Sequence, residues 1–363
     1  MQPRITVAIP VYNMEETVEK AVRSVMEQTY RDFELVVVDD GSTDSTPAIL
    51  DSLAAEDGRV RVIHQKNQGR AGARSTGVKN ARGEYLAWLD ADDWMEKEAL
   101  EKLIGAIDAT GAEVALCNYA NVELSGKRMR RYAETENTVI TGREALMNVL
   151  SRKFTQSLCF NLAQTAIYRT FDFPTGRDFE DVFTSYRLYE HTKKVAIVYD
   201  SELFGRLVRP DSVSHIQKIA QRVASCTAYL DRQADLTARI PETECVFVRA
   251  NFASLLLELR VAVFRDTRKA YSDNRAAIKR ICAYFRARKK MALPENALAG
   301  EARIFLHYQR NARGLLLFAP CKSSAQKRYL AARLSAPVSP SFKGGQFFYI
   351  PMRNFAITRV YKS

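Results

Sequence analysis

The 363-residue chain has no run near the roughly 18 uninterrupted apolar residues that a membrane span requires. Its six cysteines (Cys117, Cys159, Cys226, Cys245, Cys282 and Cys321) include no C-x-x-C pair, and a chain this long folds without disulfide staples. They read as reduced, mostly buried thiols. The N-terminal stretch "MQPRITVAIPVY" enters a strand pattern by residue 5, with no apolar h-region or small-residue cleavage site ahead of it, so a cytoplasmic protein is expected. No G-x-G-x-x-G of a dinucleotide fold occurs, and no G-x-x-x-x-G-K-[ST] phosphate loop. Carboxylates are nearly missing from the tail: residues 275–363 hold 18 Lys or Arg against Glu295 and Glu301 alone. The net charge of +12 therefore belongs to the tail, because the preceding residues hold 36 basic and 40 acidic side chains.

What is present is an ordinary globular composition, 47% hydrophobic and 26% charged, enough to bury a sizeable core. Residues 4 to about 123 alternate short β-branched runs ("RITVAIPV", "FELVVVDD", "RVRVIHQ", "EYLAWL") with amphipathic stretches such as "ETVEKAVRSVMEQ", in which Val18, Val22, Val25 and Met26 fall at helical spacing. Strands separated by helices predict right-handed βαβ units and an α/β fold with a mostly parallel sheet. In such sheets ligands bind beyond the carboxyl ends of the strands. There the chain places "PVYN", "DDGSTD", "NQG" and "DADDW", a pocket of carboxylates and amides.

Asp90, Asp92 and Asp93 crowd one strand end and would repel one another unless donors or a cation neutralise them. Hard oxygen ligands suit Mg²⁺ or Mn²⁺, which also bind diphosphate oxygens. The rival reading of "DADDWMEKEAL" is a helix N-terminus capped by Asp92 or Asp93.

The run "AIPVYNMEETVEKAVRSVMEQTYRDFELVVVDDGSTDST", followed by "NQGRAGARSTGVKNARGEYLAWLDADD", resembles the family 2 glycosyltransferases of GT-A fold. The resemblance covers residues 4–123 and continues more faintly to about 215. It implies inverting, metal-dependent transfer of a sugar from a nucleoside diphosphate, usually UDP, to a hydroxyl of a cell-surface glycan or lipid-linked precursor. On that resemblance Pro10 and Tyr12 line the nucleobase pocket, Asp40 accepts from the uracil N–H with Asp39 orienting its loop, and Asn67 and Arg74 contact the base and diphosphate. Asp90, with Ala91 beside it, lies on the ribose or diphosphate side. Asp92 is the metal ligand, and Asp93 faces the acceptor or caps the helix. Ser75 stands where the family often has Asn.

The same resemblance assigns the catalytic base to the pair Glu180 and Asp181 in "GRDFEDVFTSYRLYEHTKK", with Asp181 the base; a plain charged helix burying Phe183, Tyr186 and Leu188 or Tyr189 is the alternative. "FNLAQTAIYR" resembles the acceptor-side strand, and "GRLVRPDSVSH" the loop that closes over the diphosphate. That loop offers Arg206, Arg209 and Ser212, with His215 a candidate third metal contact. The Q-x-x-R-W element and membrane spans of processive members are missing, which argues for one sugar per encounter. Domain organisation is expected to be a catalytic unit over 1–215 and a mainly helical, basic extension over 216–363. From Ala302 onward eleven basic residues interleave with "IFLHY", "GLLLFAP" and "QFFYIP", a pattern that suits peripheral binding to an anionic membrane surface better than nucleic acid.

Overall fold

The computed structural model describes residues 2–288, apart from 135, 171–172, 177–178, 209–218 and most of 252–271. Arg209, Ser212, His215, Cys321 and the basic tail thus lie outside the described residues. Among those described, no helix is long and apolar enough to cross a membrane.

The predicted α/β architecture is present as a ten-stranded sheet. Strands β1 (Ile5–Val11), β2 (Phe33–Asp39), β3 (Val60–His64) and β4 (Tyr85–Trp88) run parallel in the order β3-β2-β1-β4. They are joined by helices α1 (Val18–Met26), α2 (Thr46–Glu56) and α3 (Gly69–Asn80). β2 is buried along its whole length, as its unbroken apolar run requires. Its alternate residues serve two faces: Leu35 and Val37 join the main core, whereas Val36 and Val38 cluster with Ala73 of α3. α3 can lie this close because Gly77 has no side chain; a Cβ there would meet the Trp88 ring at 3.0 Å.

Beyond β4 the chain forms β5 (Trp94–Met95), helix α4 (Ala99–Thr110), β6 (Val114–Glu123), β7 (Arg128–Arg130), β8 (Thr138–Thr141) and helix α5 (Gly142–Leu150). β9 (Asn161–Gln164) then inserts antiparallel between β4 and β6. Short helices α6 (Thr165–Tyr168), α7 (Glu180–Thr184) and α8 (Arg187–Glu190) precede the long strand β10 (Lys194–Val208), which is parallel to β6 and antiparallel to β5. The acceptor-side strand is therefore shorter than the sequence implied: it stops at Gln164, and Tyr168 is on a helix.

Helix α9 (Ile219–Arg239), helical residues 243–251 and the helix Arg275–Ala287 follow the sheet. They build a second buried cluster from Val223, Cys226, Phe247, Ile281 and Phe285, and this cluster includes Val182 of α7. All described cysteines are free, and all but Cys245 are buried.

Candidate functional site

Strand order reverses between β1 and β4, and it is beyond the carboxyl ends of these two strands that a ligand crevice forms in a doubly wound sheet. The candidate residues gather there. Pro10 is half-buried on β1 opposite Val38, and Tyr12, one residue past the strand, is 46% exposed.

β2 delivers two buried aspartates with different partners. Asp39 accepts from the Ser42 N–H at 3.0 Å and meets His64 Nδ1 at 2.8 Å. Burial pushes its carboxyl upward, but Ser42 and His64 outweigh that and hold it below the usual range. One oxygen of Asp40 accepts from the Gln68 N–H at 2.9 Å and from Gln65 Nε2 at 2.7 Å. Gly41 has φ +77°, and a Cβ on it would sit 2.9 Å from the Asn67 nitrogen. Only glycine suits that turn, which draws the DDGS loop against the exposed Asn67.

The acidic turn after β4 is not a helix N-terminus. Trp94 and Met95 pair with β10, and α4 starts at Ala99. Asp93 consequently caps no helix. Its buried Oδ1 accepts from the Leu207 N–H at 2.9 Å, pinning the end of β10 to the turn. Burial, and then the charges of Asp90 and Asp92, push its carboxyl well above the ordinary range. Ala91 is buried and Asp92 half-buried.

An ionic chain runs through the centre. Arg74 on α3, 2% exposed, donates to Asp90 Oδ1 at 3.2 Å. Its Nη1 lies 3.5 Å from Glu180 Oε1, and the guanidinium sits over the Trp88 ring at 5.6 Å. Arg70 extends the chain, its Nε 3.7 Å from the same Glu180 oxygen. Burial opposes charge on Arg74, yet Glu180 and Asp90 more than restore it. Burial likewise works against ionised Asp90, but Arg74, Arg70 and Arg206 hold its carboxyl below the usual range. Arg74 Nε and Nη1 and Glu180 Oε1 are buried without a hydrogen-bond partner. Such atoms carry a desolvation cost that a bound group or water can relieve.

Glu180 and Asp181 open α7, entered through Phe179 in the left-handed region (φ 64°), a conformation a side chain this large adopts at a cost. Burial, then the Glu180 charge, push the Asp181 carboxyl up to about 6, against the pull of Arg74 and Arg70. A carboxyl so tuned is largely ionised at neutral pH and still basic enough to take a proton. Along α7 the buried apolar residue is Val182, whereas Phe183, expected inside on the plain-helix reading, is only partly covered; Tyr186, Leu188 and Tyr189 of that reading are buried.

The sequence-predicted residues Arg74, Asp90 and Glu180 are thus in direct contact, with Asp181 beside them. Burial works against the charge of Arg206, on β10, but Tyr119 and then Asp93, Asp90 and Asp92 strengthen it. Arg70 was not anticipated; the signal was its spacing in "NQGRAGAR", four positions before Arg74 and so on the same helix face.

Among the described residues, no three His, Cys, Asp or Glu side chains are grouped so as to hold a metal ion. In the acidic turn Asp90 is engaged by Arg74 and Asp93 by the Leu207 N–H; carboxylate oxygens of this kind are the hard ligands that Mg²⁺ or Mn²⁺ takes.

The solved structures share this fold. S. aureus TarS (residues 1–349), crystallised in complex with UDP and with UDP-GlcNAc, superposes with a TM-score of 0.60, covering 87% of this chain and 89% of that one at 20–21% identity. The mannosyltransferase PcManGT from Pyrobaculum calidifontis, in complex with GDP-Man and Mn²⁺, aligns with a TM-score of 0.50 at 18% identity, covering 87% of each chain. In sequence, glycosyltransferase GlyG of Streptococcus pneumoniae is 31% identical over 211 residues, which is 55% of this chain and 70% of that protein. The profile of Glycosyl transferase family 2 matches residues 6–173. With fold, sequence and site in agreement, the chain is a glycosyltransferase and belongs to glycosyl transferase family 2.

Proposed function

We propose that the protein transfers a single sugar from a nucleoside diphosphate sugar, with UDP the favoured nucleotide, to a hydroxyl of a cell-surface glycan or lipid-linked precursor, inverting the anomeric carbon. The observation that carries this reading is the contact of Arg74 with both Asp90 and Glu180, at 3.2 and 3.5 Å, which sets Asp181, its carboxyl pushed up to about 6 by burial and then by Glu180, beside an arginine-neutralised carboxylate cluster. The acceptor oxygen attacks the anomeric carbon on the face opposite the diphosphate, its proton passes to Asp181, and the bond from that carbon to the β-phosphate oxygen breaks. Asp40 and Tyr12 hold the base, with Pro10 and Asn67 around it. Asp90, oriented by Arg74, faces the ribose and diphosphate. Asp92 would hold a divalent cation, Mn²⁺ or Mg²⁺, which supplies Lewis-acid stabilisation of the leaving diphosphate. TarS with UDP and PcManGT with Mn²⁺ support both the donor class and the ion. The rival of a fold-only binding module is disfavoured because Asp40, Asp90, Asp92 and Asp181 are all present.

The test is donor hydrolysis across a panel of UDP- and GDP-sugars, with and without Mn²⁺, run alongside calorimetry of UDP–Mn²⁺. Hydrolysis should require the ion, and Asp92→Ala should abolish metal-dependent UDP binding while the fold survives. Unchanged UDP–Mn²⁺ affinity in that variant would remove Asp92 from the role.

A further inference from the structure

We propose that Arg70 is a positioning residue of the transfer reaction, the outer of two guanidiniums that clamp Glu180 and so fix the charge and orientation of the carboxylate beside it, Asp181. The proposal rests on Asp181 being the base. Its geometric ground is the sequence of contacts Asp90, Arg74, Glu180, Arg70, with separations of 3.2, 3.5 and 3.7 Å.

The two arginines are not equivalent. Arg74 is sealed in the interior at 2% exposure and divides its charge between Asp90 and Glu180. Arg70, with a side chain 53% exposed, reaches Glu180 from the mouth of the crevice. Glu180 is itself buried, and its Oε1 has two cations near it but no hydrogen bond. A buried carboxylate in that condition depends on both cations, since one shared guanidinium cannot neutralise two carboxylates. Asp181 is next to it in the chain. The charged groups facing Asp181 are Glu180 from its own helix, Arg70 and Arg74 from α3, and Asp90 from the turn after β4. Two of the four are anions, so loss of the outer cation leaves negative charge uncompensated beside the base and favours its protonated form. Solvent at the exposed guanidinium moderates the effect without cancelling it.

The consequence is a shift along the pH axis. In the full-length protein with donor and acceptor, kcat/KM of Arg70→Gln should lose its acid side at a pH higher by on the order of half a unit, or about threefold less transfer at fixed acidic pH. Arg70→Lys keeps the charge and should restore the native profile. Melting temperature should move little in either variant. An unshifted profile in a folded Arg70→Gln overturns the proposal, and so does an equal shift in Arg70→Lys, which would make the fork and not the charge responsible. Asp181→Asn, measured in parallel, separates the two ideas. If it transfers sugar at the native rate, the assignment of the base fails; if it is inactive while the Arg70→Gln profile is unmoved, only the role of Arg70 fails.

Discussion

Arg74 is the residue on which the site's internal order depends, because it is a buried cation between two carboxylates and above an indole ring. Removing one member of a buried ion network strands the others, so Arg74→Met should cost about 3–5 kcal/mol in urea unfolding. Adding Glu180→Gln should return part of that loss, since the stranded charge disappears. Strict additivity of the two changes would show that they do not interact. Residue types and spacing made Arg74, Asp90 and Glu180 legible in the sequence as members of one site. They did not reveal that these side chains bind one another, because contact between separate elements, 16 residues apart for Arg74 and Asp90 and far more for Arg74 and Glu180, is set by tertiary packing and leaves no local pattern. Arg70 went unread for the same reason: an arginine on the first turn of a helix looks like a solvated charge until Glu180 is brought to it.

At the scale of elements, the parallel strands and the helices between them were legible because buried strands and amphipathic helices impose periods of two and 3.6 on the sequence. The turn after β4 was not, since a two-residue strand has no period to show; acidic residues ahead of "WMEKEAL" look like a helix start, and only the pairing of Trp94 and Met95 with β10 excludes it. Helix α7 is likewise too short for periodicity: the spacing picks out the buried Tyr186, Leu188 and Tyr189 that follow it but puts Phe183 inside in place of Val182. Its first turn nevertheless carries the proposed chemistry. Asp181→Asn keeps the side chain's size but cannot accept a proton, so donor affinity should persist while transfer falls roughly 10²–10⁴-fold. A protonated Asp181 is equally unable to act. Because its carboxyl is raised to about 6, kcat/KM of the native protein should be level at neutral pH and fall about tenfold per unit below that point. A profile flat down to pH 4 would leave the base at an unperturbed carboxylate or dispense with it.

For the whole molecule, the resemblance to the family fades near residue 215, and each of the two buried clusters takes residues from both sides of that point. Val182, adjacent to Asp181, is buried in one cluster with side chains of α9, Phe247, Val248, Leu255, Leu259 and the helix Arg275–Ala287. Val182→Asp would place a charge in that cluster and should disrupt the seat of α7, abolishing transfer while UDP binding through Asp40 and the β4 turn remains measurable by calorimetry. Loss of UDP binding to the same degree would mean that the two regions unfold together. Seen as a matter of modularity, this packing moves the natural cut in the protein. The residues proposed to hold the nucleotide and the cation lie between Pro10 and Asp92, whereas the proposed base, Asp181, is next to a residue buried among the helices downstream. A chimera intended to carry one relative's acceptor preference into another would therefore have to take α7 together with α9 and the helix Arg275–Ala287 from one parent, so that Val182 keeps its own partners, and leave β10 with the sheet it completes.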